Sequence, residues 1–195
     1  MSPRSAKQFE EMRESSRRKI MDVALDLFAH QGFHSTSISQ IARQAGVAKG
    51  LVNHYFKRKE DLMVEIVFDG MRATNNIMQE MGKLPDSQAR LRFLIEYSFD
   101  YVRDNLEYTK LLTSIGLQLE NFPDLVEVIQ KKYQGIIPFM TMLMQVSGIP
   151  NTVAEGRILA ATMDGIVMQY IIVGDAMPFD QIKQDLIDKY CSLHQ

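Results

Sequence analysis

The sequence is poor in the features that mark secreted or membrane-spanning proteins. It has one cysteine in 195 residues, no uninterrupted apolar run of eighteen residues and no signal-peptide pattern at its beginning. We therefore expect a soluble cytoplasmic protein. Cys191 is expected to be an ordinary residue of the last helix, and a thiol sensor or an intersubunit disulfide are the alternatives.

Signatures of catalysis are also missing. The sequence contains no glycine-rich phosphate-binding loop, no Ser or Cys nucleophile motif and no cluster of metal ligands. His30 and His34 have the i, i+4 spacing of a helical metal-binding pair, but Gly32 between them is expected to end the helix. These absences argue against an enzyme, and we expect neither a metal nor a cofactor.

The segment from Ser37 to Phe56 has the pattern of two short helices joined by a turn. Ser37 and Gln40 have the spacing of a capping box, and apolar residues then recur at helical spacing on one face. Gly46 suits the left-handed conformation that ends a helix. A second helix starts at once and is followed by a basic run, residues 57–59. This layout is typical of a helix-turn-helix, in which the start of the second helix meets base edges in the major groove. An ordinary αα-hairpin is the competing interpretation.

Charge is distributed unevenly along the chain. Residues 13–59 hold nine basic and three acidic residues, a net charge of +6, whereas residues 60–195 hold 11 basic and 19 acidic residues, a net charge of −8. Basic side chains neutralise DNA phosphates, so the asymmetry indicates a nucleic-acid-facing end and another role for the rest. The alternative is a solvated basic face.

Taken together, these motifs resemble the DNA-binding domain of the TetR family of bacterial transcriptional regulators. The resemblance extends from about Arg17 to Ile66 and rests on RRKIMDVALDLFAHQGF, Thr36 and Ser37, IARQAGV, the HYF of residues 54–56, and the KEDL of residues 59–62. The chain departs from the family pattern in and just before the second helix, at Ala48, Leu51 and Asn53.

The resemblance implies roles for individual residues of this segment. Phosphate contacts are expected near Ser37, Tyr55 and Lys59, and base-edge contacts from Ser39, Lys49 and Asn53. A small residue, Gly50, allows the backbone to approach DNA closely. His54 is either a further DNA contact or a packed structural group. Residues 1–15 either extend the first helix or form a disordered basic arm.

The rest of the sequence has a helical pattern almost throughout. It predicts helices at 60–81, 87–104, 106–120, 124–147, 152–173 and 180–192, with a kink at Pro138. We therefore expect an all-α fold. Residues 1–59 would form an N-terminal three-helix helix-turn-helix DNA-binding domain, and residues 60–195 a larger C-terminal helical domain for ligand binding and dimerisation.

The C-terminal domain is rich in methionine and aromatic residues. Methionine adapts to irregular shapes, so the set suits an apolar ligand pocket, although plain core and interface packing is the alternative. The candidate pocket residues are Met71, Met78, Phe93, Tyr97, Tyr108, Phe122, Tyr133 and Met163. An acid in the pocket, with Glu96, Glu120 and Asp164 as candidates, would favour a cationic ligand, and its absence a neutral or fatty one.

Residues 157–174 are apolar on more than one helical face, which predicts that they pack against a partner. The TetR resemblance places a homodimer interface in the last two helices, as a four-helix bundle about a two-fold axis. The expected interface residues are Ala160, Ala161, Gly165, Met168 and Ile172.

The function expected from this reasoning is a ligand-responsive transcriptional repressor. A homodimer would hold two recognition helices about 34 Å apart on a palindromic double-stranded DNA operator, and a small apolar or amphipathic effector would release it. The helix from about Glu60 to Met81 would link the two domains. The alternative is an all-helical small-molecule-binding or scaffold protein without a DNA role. No membrane partner is expected.

Overall fold

The computed structural model describes residues 6–73 and 77–191, apart from the side chains of residues 6, 7, 73, 132 and 133. Over these residues, all regular secondary structure is helical, so the predicted all-α fold is confirmed. The chain divides into two compact units at residues 72 and 73. The predicted boundary between the DNA-binding and ligand-binding domains, after residue 59, stays a prediction. The helix that begins at Lys59 lies in the first unit as far as Arg72.

The first unit contains α1 (Ala6–Gln31), α2 (Ile38–Ala45), α3 (Lys49–Tyr55) and α4 (Lys59–Ala73). Helix α1 is already helical at Ala6, so residues 6–15 extend the first helix. Each of the four helices contributes to the core side chains that are almost fully shielded from solvent. They are Ile20, Leu27, Phe28, Ile41, Val52, Leu62, Met63 and Val67. These apolar contacts hold the three short helices against the longer α1.

The second unit contains α5 (Ile77–Gly82), α6 (Ser87–Asp104), α7 (Leu106–Leu117), α8 (Pro123–Val146), α9 (Thr152–Val173) and α10 (Phe179–Cys191). Short 3₁₀ turns at residues 119–121 and 174–176 follow α7 and α9. Helices α4 and α5 are the described parts of the helix predicted at 60–81. Helix α7 ends at Leu117, slightly before its predicted end, because the 3₁₀ turn takes over.

The core of the second unit lies among α6, α8, α9 and α10. Its buried side chains include Leu91, Ile95, Phe99, Met144, Leu159, Ile166, Tyr170, Phe179 and Ile187. The Phe179 ring lies 4.6 Å from the Phe99 ring and 4.2 Å from the Tyr170 ring, measured between centroids, so it links α10 to α6 and α9. Polar contacts at the edge of this core join Tyr190 Oη to Glu155 Oε2 at 3.1 Å and Lys183 Nζ to Asp100 Oδ1 at 3.3 Å.

Candidate nucleic-acid interface

Helix α2 begins and ends as the sequence predicts. The N–H of Gln40 donates to Ser37 Oγ at 3.2 Å, and Gly46 takes a left-handed conformation with φ of 65°. The N–H of Val47 then donates to the Ala42 carbonyl at 2.9 Å, which completes the cap. The Gln40 side chain does not complete a capping box, because its amide donates to Gln31 Oε1 at 2.6 Å and links α2 to the end of α1.

Helix α3 has one buried anchor and an open side. Val52 is fully buried, whereas Lys49, Gly50, Asn53 and His54 are exposed. A Cβ atom added at Gly50 would meet no atom within 4 Å. The surface that α3 presents is therefore unobstructed at the residues predicted to meet base edges.

Ser39 and His54 complete the exposed set predicted for DNA contact. Ser39 is exposed on α2. The His54 ring is also exposed and meets the Tyr55 ring edge-on, with 5.6 Å between centroids. His54 is thus both accessible and in contact with an aromatic neighbour.

The side chains of the three residues predicted to contact phosphates form hydrogen bonds with other groups of the protein. The Ser37 hydroxyl caps α2. Tyr55 Oη donates to the Arg13 carbonyl at 3.1 Å. Lys59 Nζ donates to the carbonyls of Phe33 at 2.6 Å and Thr36 at 2.7 Å, and burial lowers the pKa of Lys59 against the opposing effect of Glu60. The cap at Ser37 follows from its spacing to Gln40, whereas sequence spacing carried no signal for the contacts of Tyr55 and Lys59, because their partners lie more than twenty positions away in the chain.

Helices α1 and α4 are joined by a network of ion pairs. Glu65 accepts from Arg17 at 2.8 Å and from Arg72 at 3.0 Å, and Asp69 accepts from Arg72 at 3.0 Å and from Arg18. Burial on its own would raise the pKa of Glu65 and Asp69, but the hydrogen bonds and charges of the arginines outweigh it, and both pKa values are lowered. These arginines are thus occupied within the unit.

The predicted pocket residues fall into different environments. Met71 is half-buried on α4 in the first unit; in the second unit, Met78 is 57% exposed and Tyr108 and Phe122 are buried. Met163 packs against the core of the second unit. The side chain of Tyr133 lies outside the described residues.

Three of the predicted pocket aromatics belong to one row. Phe93, Tyr97 and Tyr101 follow each other along α6, with 6.0 and 5.9 Å between successive ring centroids, and the Tyr101 ring meets Tyr108 of α7 edge-on at 6.5 Å. Burial, together with Tyr97, raises the pKa of Tyr101 to about 12. We call these four residues the aromatic row. The i, i+4 spacing of 93, 97 and 101 is the signal that would have added Tyr101 to the predicted set.

The predicted interface residues lie on or beside a stripe of small and apolar side chains along α9. The α9 stripe consists of Ala154, Ile158, Ala161, Gly165, Met168 and Ile172, which alternate between spacings of four and three residues. Ile172 is 74% exposed, and a Cβ at Gly165 would meet nothing within 4 Å. Ala160 is half-buried next to the stripe. The opposite side of α9 carries the buried Leu159, Ile166 and Tyr170.

Among the described residues, the segment Thr152–Ala176 is long and apolar enough to span a membrane, with a mean hydropathy of 1.4, but only 17% of an 18-residue stretch of it is buried within the chain. Length and composition do not separate a membrane helix from a helix that packs against a partner. No group of three or more His, Cys, Asp or Glu residues in the described part of the chain could hold a metal ion. His34 lies beyond the end of α1, which carries His30, because Gly32 with φ of 82° follows that helix.

Known proteins resemble this chain in sequence and fold. A family model described as bacterial regulatory proteins, tetR family, matches residues 20–66. The fatty acid metabolism regulator protein of Bacillus subtilis (strain 168) is 39% identical over 162 residues, which cover 79% of this chain and 82% of that protein. This match is therefore much longer than the 47 residues that the family model covers.

Two solved structures share the fold over nearly the whole chain. One is a transcriptional regulator from Saccharomonospora viridis in complex with choline, with a TM-score of 0.76, 18% identity, and coverage of 93% of this chain and 97% of that one. The other is the regulator FadR from Bacillus subtilis in complex with stearoyl-CoA, with a TM-score of 0.69, 21% identity, and coverage of 90% and 97%.

Proposed function

The chain belongs to the tetR family of bacterial regulatory proteins, and from this premise we propose how it acts on DNA. It is a ligand-responsive DNA-binding transcriptional regulator and not an enzyme. In the proposal, a cytoplasmic homodimer represses transcription from a palindromic operator, and an amphipathic effector releases it. The observation that carries the DNA-binding part is the unobstructed start of α3.

The chemistry of α3 suits base recognition. Asn53 has the amide donor and acceptor that match an adenine edge, and the Lys49 ammonium suits the acceptors of guanine. Over the described residues, neither side chain has a hydrogen bond or ion pair, so both are available to DNA. Gly50 between them lets the helix backbone approach the groove, since nothing lies within 4 Å of its missing side chain. Ser39 of α2 and His54 add exposed polar groups to the same proposed surface.

The proposed homodimer uses the α9 stripe. Its alternating spacing of four and three residues is the spacing at which two helices pack along each other in a coiled coil. Ala161 and Gly165 at its centre are small enough for two helices to come close. A two-fold pairing of identical α9 stripes would cover the stripe of each copy at once.

An acyl compound such as a fatty acyl-CoA is the effector that we propose. The fatty acid metabolism regulator of Bacillus subtilis is 39% identical to this chain, and a FadR structure of this fold is in complex with stearoyl-CoA. The aromatic row offers apolar ring faces in the second unit. The three acids that would favour a cationic ligand do not support one. Glu96 lies 3.8 Å from Arg92, and Glu120 and Asp164 are exposed.

Release requires that the effector bind one conformation of the dimer better than the DNA-binding one. The coupling is limited by that difference in affinity, and DNA must weaken effector binding by the same factor. Helix α4 is the proposed link, because the chain continues from it into the second unit and the Glu65 and Asp69 network holds it to α1. A shift of α4 would therefore carry the helix-turn-helix with it.

Fluorescence anisotropy with a labelled duplex tests this proposal. An operator selected from random-sequence duplexes is titrated with the full-length protein alone, and then with stearoyl-CoA, free CoA or choline present. We expect binding that weakens as salt rises, and release by stearoyl-CoA but not by free CoA. Release by choline alone would contradict the acyl effector, and no DNA binding at low salt would contradict the regulator itself.

A variant of the aromatic row tests where the effector binds. Tyr97→Ala removes the central ring between Phe93 and Tyr101, so we expect weaker release by stearoyl-CoA and unchanged operator affinity without it. Ser114→Ala, at an exposed position of α7, is the control and should behave as the wild type. Equal release from Tyr97→Ala and wild type would contradict a role for the row.

A further inference from the structure

We propose that Lys59 is a positioning residue of the DNA-binding surface, and that DNA phosphates are neutralised by exposed cations such as Arg43 and Lys57. The inference rests on the DNA-binding role proposed above. It differs from the expectation drawn from family resemblance, in which Lys59 itself contacts a phosphate.

The Lys59 ammonium group is surrounded by acceptors of the loop between α1 and α2. It donates to the carbonyls of Phe33 at 2.6 Å and Thr36 at 2.7 Å, with the His34 carbonyl at 3.5 Å. The same nitrogen lies 4.3 Å from the centre of the Phe33 ring. An ammonium group has three N–H donors, so this arrangement uses its capacity and leaves little for a phosphate. If the Lys59 side chain turned toward DNA, the partly buried carbonyls of Phe33 and Thr36 would lose their charged donor.

The loop that Lys59 holds sets the start of the helix pair. Residues 32–37 connect α1 to α2, and Thr36 within them is buried with its hydroxyl donating to the Gly32 carbonyl at 2.9 Å. The next residue, Ser37, is the cap of α2. Lys59 thus ties the first residue of α4 to the loop that orients α2, and α2 in turn packs on α3. A change at Lys59 would act on α3 through that loop.

Tyr55 behaves in the same manner at the other end of the pair. Its hydroxyl donates to the Arg13 carbonyl at 3.1 Å, which ties the last residue of α3 to α1. Two residues expected at phosphates therefore hold the helix pair from opposite ends. Their side-chain polar groups act within the protein.

Several other cations of residues 13–59 are occupied as well. Arg58 Nη2 lies 2.7 Å from Asp61 Oδ1, while Arg17 and Arg18 are bound to Glu65 and Asp69. Arg43 and Lys57, in contrast, are exposed and form no hydrogen bond or ion pair with any described residue. They lie on α2 and directly after α3, the two helices of the helix-turn-helix. Their charged groups have no hydrogen bond to give up and can replace counterions on DNA, although Lys57, after Arg58, also helps to lower the pKa of Asp61.

The test compares Lys59→Met with Lys57→Met, two variants that remove the same charge two residues apart. Affinity of the full-length protein is measured on a labelled random-sequence duplex and on a selected operator across a salt series. Lys57→Met should weaken binding to both duplexes and lower the salt slope by about one. Lys59→Met should keep the wild-type salt slope and lose discrimination between operator and random duplex.

Amide hydrogen exchange in the absence of DNA provides a second measurement. Loss of a residue that only contacts phosphate would not change the exchange rates. Exchange of residues 33–37 should be faster in Lys59→Met and unchanged in Lys57→Met. Lys59→Arg keeps the charge but replaces a compact three-donor group with a planar guanidinium, so we expect faster exchange there too. This variant also serves if Lys59→Met does not fold.

Two results would overturn the inference. One is a salt slope lowered by about one in Lys59→Met with unchanged exchange at residues 33–37. The other is Lys59→Arg with wild-type exchange and wild-type operator discrimination. Failure of the proposed function is separate, because it would appear as a wild-type protein that does not bind DNA at low salt, whereas the exchange experiment needs no DNA.

Discussion

Tyr55 and Arg13 are joined by a hydrogen bond from the phenol hydroxyl to the backbone carbonyl, 3.1 Å long, across 42 positions of the sequence. The contact fixes the end of α3 to the extended part of α1. Residues 6–15 therefore do more than lengthen a helix, because they supply the acceptor that holds α3 in place.

Tyr55→Phe removes this hydrogen bond and keeps the ring. Because the bond is partly exposed, we expect the free energy of unfolding to fall by about 0.5 to 1.5 kcal/mol, the usual net value of one hydrogen bond. Urea unfolding followed by circular dichroism measures it. An unchanged unfolding midpoint would show that water replaces the Tyr55 hydroxyl as the donor to the Arg13 carbonyl without loss.

Lys49→Ala tests base recognition at the start of α3. Lys49 is exposed and predicted to meet a base edge, so its loss should cost about 1 to 3 kcal/mol in operator binding and relax sequence preference. Anisotropy with the operator and with single-base variants of it measures both effects. Equal losses on operator and random duplex would instead assign Lys49 to the phosphates.

Substitution by leucine should have different effects at two glycines of α9. A Cβ at Gly156 would lie 3.1 Å from Thr141 Oγ1 and 3.2 Å from the Thr141 backbone nitrogen, whereas a Cβ at Gly165 would meet nothing within 4 Å. Gly156→Leu should therefore lower the free energy of unfolding by about 1 to 3 kcal/mol through overpacking of α8 against α9.

Gly165→Leu should leave the packing within one chain intact and weaken the proposed dimer, because the new side chain stands on the α9 stripe. Light scattering across a protein concentration series measures the dimer, and circular dichroism measures the fold. A Gly165→Leu protein that dimerises as the wild type would place the interface elsewhere.

Acid should loosen α4 from α1. The pKa values of Glu65 and Asp69 are lowered in the folded chain, so the stability from these carboxylates is complete above their ordinary values of 4.5 and 3.8 and is lost as pH falls below them. Urea unfolding of wild type and Glu65→Gln across this pH range measures the effect. The variant should be less stable at neutral pH, and the difference should shrink in acid. A constant difference would mean that the Glu65 charge is not its source.

Local sequence patterns determined where the helices lie. The apolar spacing of Ile41, Ala42 and Ala45 and the stop at Gly46 depend on residues within a few positions of each other, and α2 and its left-handed cap appear as predicted. The exposed set on α3 and the stripe on α9 follow from the same periodicity. Such features are set by backbone geometry and by which face of a helix is apolar.

Tertiary structure decided which polar side chains remain available. Lys57 and Lys59 are lysines of the same basic run, so the sequence does not distinguish them. Only Lys59 lies beside the carbonyls of Phe33 and Thr36, which are more than twenty positions earlier in the chain. Likewise, Tyr55 finds its acceptor in Arg13. Hydrogen bonds and ion pairs depend on distances of a few ångströms between remote parts of the chain, so sequence spacing identified the basic segment and only packing separated its structural cations from those open to DNA.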